Sequence, residues 1–243
     1  MPDTQKFETE IAGKKLTFEM GHFAGQANGA CTVQYGGTVV LATAVMSKDI
    51  REGIDFFPLL VDYEERLYAA GKIKGSRFIK REGRPSDEAI LTSRLVDRSL
   101  RPLFNETMRH DVQVVLTVLS VDQENDPDII SLLAASCALS ISNIPWQGPI
   151  AGARIGLINN EWVLYPTYEA REKSELDLVL VAKEDRIVMI EAGSNQVPEE
   201  KVVEAVQFGY KHLKKIIKFI QEIQAKIGVE KKVIELGEPS KEE

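Results

Sequence analysis

Between Gly71 and Phe104 the sequence reads GKIKGSRFIKREGRPSDEAILTSRLVDRSLRPLF, a run rich in side chains that can hold phosphate. Lys72, Lys74, Arg77, Lys80, Arg81 and Arg84 come first, set among Gly71, Gly75 and Gly83, with Phe78 and Ile79 embedded between them. Cations neutralise phosphates and an aromatic ring can stack on a base, the pairing that sequence-neutral single-strand channels use. Phe78 could equally be an apolar plug that holds the loop down. Pro85-Ser86-Asp87-Glu88 then reads as a helix start: Ser86 can cap orphan amides, and two acids suit the positive end of the macrodipole. The helix is expected to run to about Leu100, before Pro102. At 100° per residue Arg94, Arg98 and Arg101 fall within about 60° of one another, so three guanidiniums share a stripe. Arginine's planar fork suits phosphate oxygens. The competing use of the same stripe is pairing with acids such as Asp97 or Glu106.

The whole chain argues less clearly for an anionic partner. Its 243 residues carry 30 Lys plus Arg against 37 Asp plus Glu, a formal charge of −7. Bulk acidity is a poor sign of nucleic-acid binding, yet from Arg66 to Arg109 there are 11 basic and 5 acidic residues. Such segregation suggests a local anion site on a surface otherwise acidic, the alternative being a solvated basic helix face. Other signals are weak. Asp122, Asp126 and Asp128, near Glu124, miss the calcium-loop pattern, and His22, His110 and His212 form no zinc motif. No phosphate-binding loop with GK[ST], nucleophile elbow or dinucleotide fingerprint occurs, which argues against a self-contained ATPase, serine hydrolase or dinucleotide enzyme. Cys31 and Cys137 lack C-x-x-C spacing and read as buried free thiols in a reducing cytoplasm. No apolar run approaches the roughly 18 residues that would cross a bilayer, so neither a secreted nor a membrane protein is expected.

The elements that must position the basic segment follow from periodicity and turn chemistry. Phe7 to Phe18, broken at Ala12-Gly13, predicts a hairpin of two edge-like strands; Thr32 to Tyr35 and Thr38 to Met46, joined by Gly36-Gly37, predict a more buried one. Strands are also expected at Phe56 to Tyr63, Val112 to Val121, Ile150 to Ile158, Trp162 to Tyr165, Leu176 to Ala182 and Ile187 to Glu191. Asp126 to Ser142 and Pro198 to Ile227 read as helices, the second long, amphipathic and interrupted by Gly209. Strands and helices in this mixed order point to an α+β fold. The tail from Gly228 to Glu243 has the composition of a linker.

Four stretches carry a family resemblance: GHFAGQANGACTVQYGGTVVLATAV, DFFPLLVDYEERLYAAGKIKG, KREGRPSDEAILTSRLVDRSLRPLF and NDPDIISLLAASCALSISNIPWQGPIAGARIG. Over about residues 5 to 230 the chain resembles the N-terminal part of the bacterial polyribonucleotide nucleotidyltransferase, or polynucleotide phosphorylase, family. The resemblance implies the first of two RNase PH-like domains, with a ribosomal protein S5 domain 2-like fold of mixed sheets and packed helices. It places that domain at residues 1–227, divided into subdomains 1–145 and 146–227, with 228–243 beginning a linker to a helical domain. Members form ring-shaped homotrimers around a channel for single-stranded RNA. They degrade it from the 3′ end by phosphate attack, releasing nucleoside diphosphates, and also run the reverse polymerisation. The resemblance implies a cytoplasmic enzyme of mRNA turnover, with proteins of RNA-degradation complexes among its partners.

Carried over by position, the constriction loop falls on Phe78, Ile79, Lys80 and Arg81, and the basic side chains facing the RNA on Arg94, Arg98 and Arg101; Arg84 joins them on charge. The family loop usually has two adjacent aromatics and two arginines. Ile79 cannot stack as a ring does, and Lys80 lacks the planar fork; Ser99 stands where proline is common. Residues for Mg²⁺ and inorganic phosphate belong to the second RNase PH-like domain in the family, so no catalytic or metal-binding residue is expected here and the chain alone is expected to be inactive. The alternative is a non-catalytic RNA-binding and assembly module, and a third reading is a structural ring subunit whose basic stripe is consumed in ion pairs.

Overall fold

The computed structural model describes residues 4–50, 53–73, 83–234 and 236. The first hairpin, β1 (Gln5–Ile11) and β2 (Lys14–Met20), turns at Ala12-Gly13, both at positive φ, as a two-residue hairpin turn requires. β3 (Gly29–Tyr35) and β4 (Thr38–Ile50) turn at Gly36-Gly37, where Gly36 has φ +60° and Tyr35 pairs with Thr38. The strand expected from Phe56 starts later, as β5 (Leu59–Glu64), and β6 runs from His110 to Ser120. The six strands lie in the order β1-β2-β3-β4-β6-β5. β1 is an edge but β2 is paired on both sides, so the expectation of two edge strands in the first hairpin is corrected.

β5 pairs with β6 in parallel, whereas the other neighbours in this sheet are antiparallel. A parallel pair cannot be closed by a tight turn and needs a crossover. The crossover from β5 to β6 contains α1 (Asp87–Leu100), which packs on β5 and so brings Arg94, Arg98 and Arg101 to that margin of the sheet.

The second sheet is antiparallel, ordered β10-β9-β7-β8, from β7 (Ala151–Ile158), β8 (Glu161–Leu164), β9 (Leu176–Ala182) and β10 (Ile187–Ser194). Asn159-Asn160 turns the β7–β8 hairpin with both residues at positive φ. α2 (Pro127–Ile141) packs on β3 and β4 of the first sheet and on β7 of the second. It is apolar nearly all round, as a helix buried on every face must be. Ile129, Ile130, Leu132, Leu133 and Leu139 are each at most 1% exposed, and each such burial contributes about 1.5–3 kcal/mol. Its serines do not break the apolar environment: Ser131 donates to the Pro127 carbonyl at 2.6 Å and Ser140 to that of Ser136 at 2.7 Å. Ser136 both donates to the Ile150 carbonyl and accepts from its amide, tying α2 to the entry of β7. Cys31 on β3 and Cys137 on α2 are buried free thiols; burial, and then the neighbouring Cys137, push the Cys31 thiol well up.

α3 (Tyr168–Glu172), a single short turn capped by Thr167, was not expected from periodicity. α4 (Glu199–Ile227) covers β7 and β9, and Gly209 permits its close approach, since a Cβ there would stand 2.7 Å from Ile155 Cδ1. The segment read as a linker is tied down at its start. Val229 donates its amide to Ile141, Lys232 donates its amide to Asn143, and the Lys231 ammonium donates to the carbonyls of Leu139, Ser140 and Ser142 at 2.7–3.2 Å. Among the described residues no helix is long and apolar enough to cross a membrane.

Candidate nucleic-acid interface

α1 begins as its sequence dictates. Ser86 Oγ accepts from the Ala89 amide at 3.0 Å and donates to Glu65 at 2.7 Å, while Asp87 and Glu88 occupy the first turn. Ala89, Leu95, Val96, Ser99 and Leu100 form the buried face, against β5 and α2. The Leu100 carbonyl receives the Trp146 indole N–H at 3.1 Å, fixing the end of the helix. Ser99 Oγ donates to the Leu95 carbonyl at 2.8 Å, so the hydroxyl needs no further partner in its buried position.

This packing leaves the three arginines in different circumstances. Arg94 is exposed and has no ion-pair or hydrogen-bond partner among the described residues. Arg98 pairs with Glu191 of β10, also lies 3.3 Å from Met189 Sδ, and keeps 54% of its side chain exposed. Arg101 is the most engaged. It holds Asp97 with two bonds of 2.6 and 3.0 Å, and donates to the carbonyls of Phe57 at 3.2 Å and Leu59 at 3.1 Å. Its guanidinium also sits 5.9 Å from the Phe57 ring centroid. Arg101 therefore clamps the end of α1 to the entry of β5. The pairing with Asp97 was one of the alternatives open in the sequence; Glu191, 93 positions from Arg98, gave no local signal.

Arg84 is exposed just before α1 and, with Lys72, borders a cleft of about 780 Å³ whose lining includes Tyr63, Tyr168, Glu65, Ala89 and Val118. Burial, then Glu65, Asp126 and Asp128, push the Tyr63 hydroxyl well above its ordinary range. Burial does the same to Tyr168. Phe78, Lys80 and Arg81, with Ile79, lie outside the described residues.

Asp122, Asp126 and Asp128, around the start of α2, are held by amides and guanidiniums, and so engaged their oxygens do not fit a Mg²⁺ site. Asp122 accepts from the amides of Gly37, Glu124 and Asn125 at 2.8–2.9 Å and from Thr38 Oγ1 at 3.1 Å. Burial alone would raise its carboxyl, but these amides outweigh burial and hold it well below the usual carboxylate range. Asp126 caps α2 and receives Arg171 at 2.5 Å; Asp128 receives Arg154; Asp177 receives Arg154 at 2.7 Å and Arg171 at 3.2 Å. Burial first, then Asp126, push the Asp128 carboxyl up to about 6, against the pull of Arg154. Three carboxylates here share two guanidiniums, so the direction is that of an incompletely compensated acid. This network, joining α2, α3, β7 and β9, was not anticipated from the sequence, because its members are up to 51 positions apart. Among the described residues no group of three or more His, Cys, Asp or Glu is arranged to hold a metal ion.

Comparison with known proteins adds what geometry does not. Residues 12–145 match the model of the 3′ exoribonuclease family, domain 1, and residues 148–212 that of the same family's domain 2. Over 96% of its length the chain is 53% identical to a polyribonucleotide nucleotidyltransferase of Heliobacterium modesticaldum, covering 33% of that protein. Over 94% it is 54% identical to one of Alkaliphilus oremlandii, covering 32%. The chain thus spans about a third of the length of the curated relatives it matches. Among solved structures, that of rice (Oryza sativa) Rrp46 superposes with a TM-score of 0.67 over 91% of this chain and 94% of that one, at 14% identity, a likeness of fold alone.

Proposed function

Because the chain belongs to the 3′ exoribonuclease family, with an RNase PH-like α+β fold, we propose that it is the first core domain of a phosphorolytic 3′ to 5′ exoribonuclease acting on single-stranded RNA. In this reading α1 and the crossover before it line the RNA path, and the domain contributes contacts to a homotrimeric ring. The observation that carries the RNA-path role is Arg94, exposed and unpartnered among the described residues, on a helix rooted by its opposite face. An exposed guanidinium can grip phosphate without first giving up a carboxylate. Arg98 adds to it through the exposed part of its side chain, Arg84 from the approach to α1, and Phe78, Lys80 and Arg81 from the loop.

Phosphorolysis requires inorganic phosphate in line with the last linkage and Mg²⁺ to offset charge on the transferring phosphoryl group. Asp122, Asp126, Asp128 and Asp177 are held by backbone amides and guanidiniums, and the proposal assigns both phosphate and Mg²⁺ to a second RNase PH-like domain in the complete enzyme. This chain's part is to track and orient the strand.

Arg98 and Arg101 also support the structural reading, since each already holds a carboxylate. Titrating a labelled oligoadenylate onto Arg94→Ala, Arg98→Ala and Arg101→Ala separates the two. The RNA-path role predicts weaker binding for Arg94→Ala with unchanged unfolding. A stripe used only for structure would leave affinity unchanged and lower stability in the Arg98 and Arg101 variants.

A further inference from the structure

The cleft beside α1 has a chemistry that tracking an RNA backbone does not use. Tyr63 reaches it from β5; its residue is 7% exposed, yet its hydroxyl has no hydrogen-bond partner among the described residues. That hydroxyl opens into the cleft and is free to donate to or accept from a ligand there. Tyr168, 39% exposed, offers a ring at the start of α3, with the Arg171 guanidinium 5.7 Å from its centroid. Ala69, Ala89 and Val118 make an apolar lining. Lys72 and Arg84 are exposed and hold no carboxylate among the described residues. Glu65, bonded to Ser86, retains acceptor capacity for a hydroxyl or an exocyclic amine.

A ring to stack on, a phenol hydroxyl free to donate, a carboxylate acceptor and two exposed cations match one ligand class, and a cavity of about 780 Å³ is of the size that takes small ligands. We propose that this cleft binds a phosphorylated ribonucleoside, with its base against Tyr168, its polar edge at Tyr63 and Glu65, and its phosphates at Lys72 and Arg84. The occupant is either a free nucleoside diphosphate or the terminal nucleotide of an RNA. Neither Arg94 nor Arg98 lines this cleft, and its role goes beyond tracking the RNA backbone.

The test titrates ADP, and separately a short oligoadenylate, onto the 243-residue chain and its Tyr63→Phe, Tyr168→Ala and Arg94→Ala variants, with thermal melts to confirm folding. Tyr63→Phe removes one hydroxyl and should weaken ADP binding about fivefold, the worth of one hydrogen bond. Tyr168→Ala should weaken it tenfold or more through lost stacking, and Arg94→Ala should leave it unchanged. If only the oligoadenylate responds to Tyr63→Phe and Tyr168→Ala, the occupant is an RNA end and the site stands. Affinities for both ligands that ignore these two variants would overturn it, as would inorganic pyrophosphate displacing ADP with equal affinity. Unchanged oligoadenylate binding by Arg94→Ala would count against the RNA-path role and not against this cleft.

Discussion

Arg94 and Arg101 lie on one stripe, yet one is exposed without a partner among the described residues and the other is locked to Asp97 and two carbonyls. Helical spacing shows that such residues share a face; what each guanidinium holds depends on β5 and β10, which sequence periodicity does not locate. Asp122 shows the same limit, because a residue that looked like a poor metal ligand is the anchor of the Gly36-Gly37 turn. Asp122→Ala should cost about 2–3 kcal/mol in urea unfolding, since several bonds to an ionised group are lost together. Its carboxyl is held below the ordinary 3.8, so its contribution is present above about pH 4 and is lost as pH falls further. Asp128 has the opposite sign. With its carboxyl raised from 3.8 to about 6, it favours the fold fully below about pH 4 and loses that contribution as pH rises through 6. Comparing unfolding midpoints between pH 4 and 7 should show a flatter profile for Asp128→Asn than for the parent; identical profiles would contradict the assignment.

At the scale of elements, both early hairpins were legible because two-residue turns carry their own signature, and α2 because its cap, Pro127 and apolar run agree. The parallel pairing of β5 with β6 was not, although it decides where the basic crossover lies. Nor was the role of the tail. Lys231 looks like a solvated charge in a polar segment, but its ammonium sits on the last carbonyls of α2, where the macrodipole is negative. Lys231→Met should destabilise the protein by about 1–2 kcal/mol and speed hydrogen exchange in the last turn of α2. Unchanged exchange there would show that the tail does not cap the helix.

For the whole molecule, the formal charge of −7 conceals a basic segment whose helix α1 is placed at one margin of a sheet by topology. Family resemblance supplied the proposed reaction, which no spacing in this chain could, and in that proposal Asp122, Asp126 and Asp128 serve the fold instead of chemistry. Incubated with poly(A), phosphate and Mg²⁺, the purified 243-residue chain should release no nucleoside diphosphate above background; turnover would place chemistry in this domain. The central claim, that this domain tracks an RNA backbone, is tested most directly by the salt dependence of single-stranded RNA affinity. Each phosphate-bound cation removed should reduce the slope of log affinity against log salt by roughly 0.7. The account predicts that replacing Arg94, Lys80 and Arg81 together by Ala flattens that slope by about two units at most while the fold is retained, and an unchanged slope would contradict it.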